Sequence, residues 1–241
     1  MRVLRQGGDI MSLKIPTGNM YPFIDAIWNP IRGKCLHNCK YCYVKRAANK
    51  YKRPQTKLRL VDSELRTNLG NGNYIFICSG CDLFADNVPL DMIKAVINYT
   101  YLFPENKYLI QTKNPERCWY PIFGLSTDIH KICTTIETNR YCPGIMKKSP
   151  HPDRRAYSLR HLANKGFETM VTIEPVIDFD LEKMVKLIRH TKAAQVNIGA
   201  DSDHKKNNLP EPSKEKILAL ISELEKFTVV FRKKNLRRLI K

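Results

Sequence analysis

The sequence predicts an α/β fold, specifically a partial (βα)6 TIM-like barrel of parallel strands with outer helices. Six short apolar, β-rich segments alternate with helix-like stretches over roughly 205 residues, too few for a closed eight-stranded barrel. Regular β-then-α order implies parallel strands with helices packed outside. Each strand-like segment also stops at polar or charged residues, and in βα barrels the carboxyl ends of strands are where chemistry sits.

The strands expected are Phe23–Trp28, Tyr74–Cys78, Lys107–Gln111, Lys131–Ile136, Glu168–Ile173 and Ala194–Gly199. Pro89–Phe103 reads as a helix because Pro89 suits a first turn and Pro104 stops it. Its Leu90, Ile93, Ile97 and Tyr101 recur on one face. Arg154–Lys165 is helical, with Gly166 at the left-handed stop position. Leu181–His190 carries Leu181, Met184, Val185 and Ile188 at helical spacing, and Ser213–Lys226 does the same with Ile217, Leu220, Ile221 and Leu224. No repeat or linker divides the chain. It is expected to comprise a basic amino-terminal extension (1–20), one barrel domain (21–231) and a basic carboxyl-terminal tail (232–241).

The strand ends read in order as one rim. A three-cysteine loop follows the first strand, and Cys78-Ser79-Gly80-Cys81-Asp82 the second. Thr112-Lys113-Asn114, Glu137-Thr138-Asn139-Arg140, Glu174-Pro175 and Asp201-Ser202-Asp203 follow the others. Six polar ends in phase point to one site.

The 241 residues carry 41 basic and 23 acidic side chains, a net charge of +18. Residues 1–60 hold 13 Lys and Arg against Asp9 and Asp25, giving +11, and the last ten residues add +6. The remainder is therefore nearly neutral. A basic front and tail on a neutral body form an electrostatic footprint for a polyanion such as nucleic acid. The apolar runs are far short of the ~18–20 residues that span a bilayer, and the amino terminus lacks the apolar core of a secretory signal. A cytoplasmic protein without a membrane partner is the expectation.

That expectation makes the compartment reducing, so the eight cysteines read as ligands or core residues rather than disulfides. Cys35, Cys39 and Cys42 place three thiolates within eight residues, enough for three corners of a metal or iron–sulfur site. Structural zinc wants four ligands, and His37 is cramped between Cys35 and Cys39. A zinc-stapled, non-catalytic nucleic-acid-binding protein is the rival reading. Cys78 and Cys81 form a CxxC whose alternatives are a redox pair, a second metal site or packing. Cys118, Cys133 and Cys142 read as core filling.

The loop Cys35-Leu36-His37-Asn38-Cys39-Lys40-Tyr41-Cys42, with an aromatic before its last cysteine, resembles the cluster loop of the radical S-adenosylmethionine (radical SAM) superfamily. Trp28-Asn29-Pro30, Asp82-Leu83-Phe84, Thr112-Lys113-Asn114-Pro115, Glu137-Thr138-Asn139 and Ile173-Glu174-Pro175 are similar, in order, to a phage-associated radical SAM family of unknown substrate. More distantly, the cysteine ending the second strand, Thr112-Lys113, and Arg155 eleven residues before Gly166-Phe167 resemble the spore photoproduct lyase family, which repairs DNA. The resemblance covers roughly residues 20–200.

The resemblance implies that Cys35, Cys39 and Cys42 ligate three irons of a [4Fe–4S] cluster. S-adenosylmethionine would chelate the fourth iron and be cleaved to a 5′-deoxyadenosyl radical that abstracts a substrate hydrogen, with an external electron donor reducing the cluster. Tyr41 would lie near the adenine. Ser79-Gly80 stands where the family has a backbone ledge for the methionine amine, without the usual Gly-Gly-Glu. Lys113 and Arg155 are candidates for the methionine carboxylate. Glu137 is a candidate for the ribose hydroxyls with Asn139 assisting, and Glu174 is a further cofactor-binding candidate. Cys78 or Cys81 would give a hydrogen atom to the product radical. The charge map favours a nucleic acid or nucleotide-like substrate, with a peptide or small molecule as the alternative.

Overall fold

In the computed structural model, which describes residues 13–52 and 56–241, the apolar segments become strands of one parallel sheet. In chain order the elements are β1 (Ala26–Trp28), β2 (Ile31–Arg32), α1 (Tyr43–Lys50), β3 (Arg59–Leu60) and β4 (Tyr74–Ile77). There follow α2 (Leu90–Thr100), β5 (Lys107–Gln111), β6 (His130–Thr135), α3 (Pro143–Met146), α4 (Pro152–Asn164) and β7 (Thr169–Ile173). The chain closes with α5 (Leu181–Thr191), β8 (Gln195–Ile198), α6 (His204–Asn207), α7 (Lys214–Glu225), β9 (Val229–Arg232) and α8 (Arg237–Ile240). Among the described residues the main sheet has seven strands, in the order β1-β4-β5-β6-β7-β8-β9, every neighbour parallel. Sequential order and open edges make this the expected partial barrel, one strand larger than the sequence suggests. β2 and β3 form a separate antiparallel pair.

Side chains alternate across the sheet because successive strand residues point to opposite faces. Ile75, Ile77, Tyr108, Ile110, Ile132, Val171, Ile173, Val196 and Ile198 join the large core shared with the helices. Phe76, Leu109, Cys133 and Met170 point the other way, into a small cluster closed by Tyr21 and Ile24. The amino-terminal approach to β1 thus plugs one part of the concave face, and polar residues take over towards the strand ends.

The helices bury the stripes their periodicity predicts, with differences at the ends. α2 buries Ile93, Val96 and Ile97, whereas Leu90 and Tyr101 remain exposed. α5 buries Met184 and Ile188, and α7 buries Ile217, Leu220, Ile221 and Leu224. Gly166 adopts the left-handed conformation (φ 89°) that ends α4. Ser213 caps α7 by accepting the Lys216 N–H at 3.3 Å.

The division of the chain drawn from charge needs correction at both ends. The boundary after residue 231 cuts β9, whose Val230 and Phe231 pair with β8. Leu236 beyond it is fully buried, so the last ten residues are part of the barrel. Three of their basic side chains form ion pairs: Arg232 with Glu225, Lys233 with Glu174, and Arg238 with Glu211. At the other end, residues 1–12 lie outside the described residues. Lys14 already bridges Ile27, and Asn19 reaches Glu174, so the described part of the extension is bound to the barrel.

Candidate functional site

The loop after β2 carries Cys35, Cys39 and Cys42 and is pinned on both flanks. Leu36 N–H donates to Asn87 Oδ1 (3.1 Å), while Asn87 Nδ2 returns a bond to Lys34 O (3.0 Å). On the opposite flank Lys40 N–H donates to Ile145 O (2.9 Å) and Lys148 N–H to His37 O (3.1 Å). Ser149 Oγ lies 3.4 Å from Cys39 Sγ. Within the loop Asn38 takes a left-handed conformation (φ 53°), one of the residue types that tolerates it. Cys42 is the N-cap position of α1, which buries none of its residues.

His37 does not join the cysteines. It is buried, and its Nε2 meets Asp82 Oδ2 at 2.8 Å. Burial pulls the His37 pKa down, but the Asp82 carboxylate outweighs that and holds it above the ordinary value. Asp82 also accepts Lys113 N–H at Oδ2 (2.7 Å) and Phe84 N–H at Oδ1 (3.0 Å). One half-buried carboxylate therefore ties the cysteine loop to the ends of β4 and β5. Burial raises its pKa, yet His37 and these donors more than reverse that. Asp82 was legible as part of the polar end of the second strand and of the Asp82-Leu83-Phe84 motif, but nothing in the sequence pairs it with His37.

At the end of β4, Cys78 is left-handed (φ 58°), and the chain curls through Ser79 and Gly80. Asn29, of the Trp28-Asn29-Pro30 motif, accepts from Ser79 Oγ (3.1 Å) and Gly80 N–H (3.2 Å). Burial pushes the Cys78 thiol up to about 12. Cys81 is also held protonated, first by its hydrogen bond with Cys35 and then by burial, and the same bond lowers Cys35.

Lys113, at the end of β5, lies with Nζ 5.5 Å from the centre of the Tyr41 ring. Burial would lower its pKa, but the Cys39 thiolate and the Glu137 carboxylate outweigh that and raise it. At the end of β7, Glu174 accepts from Asn19 Nδ2 (2.6 Å) and Asn235 Nδ2 (2.7 Å) at Oε1, and from Lys233 Nζ (2.5 Å) at Oε2. Gly199 permits that approach, since a Cβ there would lie 2.8 Å from the Glu174 carboxyl. Asn19, Lys233 and Asn235 are site residues that the sequence reading missed, because they lie in the segments taken as extension and tail.

These groups surround a cavity of about 500 Å³ at the carboxyl ends of the strands. Cys35, Cys39, Cys42, Tyr41, Cys78, Ser79, Gly80, Cys81, Lys113 and Glu174 all line it. Three expected cofactor residues do not. Arg155 and Glu137 are wholly inaccessible and face each other, with Nη1 to Oε2 at 2.8 Å. Arg155 also donates to Thr135 O (2.5 Å) and Pro150 O (2.9 Å), so its guanidinium is spent inside the protein. The other Glu137 oxygen accepts the Tyr41 hydroxyl, which closes Glu137 off from the cavity. Asn139 instead bonds Asp180, accepting its N–H at 2.8 Å and donating to Oδ2 at 3.2 Å. A charged residue at a strand end can be turned to the cavity or away from it, and sequence position does not say which.

Residues 19–139, half of the chain, match the profile of a family described as "Protein of unknown function (DUF5131)". The chain belongs to the DUF5131 family. No curated protein matches it in sequence. Among solved structures, this DUF5131 chain is similar to a double mutant of spore photoproduct lyase with bound AdoMet and dinucleoside spore photoproduct. The TM-score is 0.65 at 11% identity, covering 89% of this chain and 78% of that one. A second spore photoproduct lyase, complexed with the dinucleoside, gives 0.63 at 10% identity over 90% and 78% of the two chains. The likeness is one of fold, and it bears out the partial barrel and the resemblance to spore photoproduct lyase at that level.

The donor set of this DUF5131 chain, three cysteines on one cavity wall, is one that an iron–sulfur cluster can use. Among the described residues no three His, Cys, Asp or Glu side chains converge on one metal position. In a cubane cluster each cysteine serves a different iron, so three cysteines need not converge on one metal position. No helix of the described residues is long and apolar enough to cross a membrane.

Proposed function

We propose that this chain is a radical SAM enzyme acting on a nucleic acid or nucleotide-like substrate. The observation that carries the reading is one cavity, at the carboxyl ends of a parallel partial barrel, lined by all three cysteines of the CxxxCxΦC loop. A [4Fe–4S] cluster held by Cys35, Cys39 and Cys42, together with S-adenosylmethionine, supplies reductive cleavage and hydrogen abstraction when bound.

The remaining roles belong to the cavity wall. The Lys113 ammonium has no hydrogen-bond partner among the described residues and faces the cavity, which suits it to neutralise the methionine carboxylate. With Arg155 turned inward, this cation stands without the second one the sequence suggested. Ser79 and Gly80, braced by Asn29, offer backbone to the methionine amine. Tyr41 presents its ring beside Lys113, and its hydroxyl leans on the Glu137–Arg155 pair, which fixes the ring rather than touching the cofactor. Cys78, raised by burial, keeps its S–H proton at neutral pH, the form that has a hydrogen atom to give, and Cys81 lines the same cavity as the other candidate donor.

The test is anaerobic reconstitution with iron and sulfide, then dithionite and S-adenosylmethionine, with assay for 5′-deoxyadenosine. About four irons per chain and 5′-deoxyadenosine are expected, and Cys→Ala at position 35, 39 or 42 should lose both. Stoichiometric zinc with no cleavage would overturn the enzyme and leave the cysteines as a structural staple.

A further inference from the structure

The cysteine loop and the helix that follows it draw exposed positive charge together from three distant parts of the chain. Its bonds to the 145–148 segment bring exposed Lys147 and Lys148 alongside exposed Lys40. On the other side, Arg46 of α1 pairs with Asp203 at 2.6 Å, immediately before α6 with its exposed Lys205 and Lys206. None of these five lysines has an acidic partner among the described residues. The carboxyl-terminal cations contrast with them, since half are consumed in ion pairs. Tyr43 lies on the segment that joins the two lysine banks, after Lys40 and before Arg46; it is 55% exposed and lines the cavity, with its hydroxyl donated to Ser79 O at 2.5 Å.

We propose that Lys147, Lys148 and Lys40 on one bank, Lys205 and Lys206 on the other, and Tyr43 on the segment that joins them form a strip for single-stranded nucleic acid. The inference rests on the proposed enzyme only for what happens to the base that enters the cavity. Lysines spaced along a strip neutralise successive phosphates, and an exposed aromatic ring among them is a stacking platform for a base. A base still stacked in a duplex cannot enter a cavity of this kind without being flipped out, so the strip fits a single strand. DNA and RNA share the chemistry, and the test carries an arm for each.

Fluorescence anisotropy of labelled single-stranded DNA, single-stranded RNA and the matching duplex, titrated with the full chain at several salt concentrations, decides the matter. K147Q/K148Q and K205Q/K206Q should each weaken single-strand binding about five- to tenfold at about 100 mM salt and flatten the log–log salt slope by about 1.4. K183Q/K186Q, which removes two exposed cations from α5, should change it by less than about twofold. Tyr43→Ala should cost about tenfold, while Tyr43→Phe keeps the ring and stays within about twofold. Equal losses in all three lysine pairs, duplex bound as tightly as single strand, or no binding would each overturn the strip. Iron content and 5′-deoxyadenosine formation, measured on the same wild-type preparation, separate the two readings. Strip-dependent binding without cleavage keeps the strip and removes the enzyme, whereas cleavage without binding does the reverse.

Discussion

Arg155 shows how a residue that the sequence singles out for a cavity can be turned away from it. Its position in the sequence matches a family pattern, yet its guanidinium is enclosed with Glu137, two backbone carbonyls and Met146 Sδ at 3.4 Å. Taking two charges out of water is costly, and their mutual attraction plus hydrogen bonds must offset it. Removing one partner leaves the other charge buried and uncompensated. Arg155→Leu is therefore expected to destabilise the fold by about 3–5 kcal/mol, read by urea unfolding, with the R155L/E137L double variant recovering part of the loss. A single variant as stable as the wild type would show that the pair contributes nothing. Lys113, just past the end of β5, faces the cavity instead, whereas Arg155 is carried by α4 and turned into the protein.

Among the elements, those with a buried stripe were legible and those without were not. β5 matches its expected span residue for residue because KYLIQ is apolar at its centre and bounded by polar residues. α1 buries nothing, so it left no stripe to read, and the sequence shows only a cysteine loop followed by basic residues. β9 did leave a signal in Val229, Val230 and Phe231, obscured by the cations that follow. Its consequence is testable. Leu236→Ala should cost about 2–5 kcal/mol in unfolding free energy, and truncation after Phe231 should give a chain without the native cooperative transition. Full retention of thermal stability by the truncated chain would restore the idea of a dispensable tail.

For the molecule as a whole, buried titratable groups set how stability responds to acid. His130 joins the end of α2 to β6: its Nε2 lies 3.0 Å from Thr100 Oγ1, and its Nδ1 accepts Ser126 N–H at 3.0 Å. Thr100 gives its own proton to Ile97 O, so the imidazole is held neutral with the proton on Nε2. Burial lowers its pKa to about 4. The unfolded chain takes up that proton near pH ~6.5, so this stability is complete above that value and drains away towards pH ~4, by at most about 3 kcal/mol. Asp82 and Glu137, depressed in the folded state, act with the same sign further down, their stabilisation present above the ordinary carboxylate range and lost as pH falls through their folded values. Urea midpoints should therefore decline from pH 6.5 downward, and His130→Gln should remove the upper part of the decline; a flat profile between pH ~6.5 and ~5 would contradict it. The strand and helix alternation, the polar strand ends and the spacing of Cys35, Cys39 and Cys42 were fixed by sequence alone. These are local properties, written with periods of about two and 3.6 residues or within one loop. Which charges meet was decided only by the tertiary structure. Glu174 is neutralised from 59 residues away by Lys233 and bonded from 155 residues away by Asn19. Electrostatic attraction and desolvation depend on distance through space, and no linear pattern records that distance until the partial barrel has formed around it.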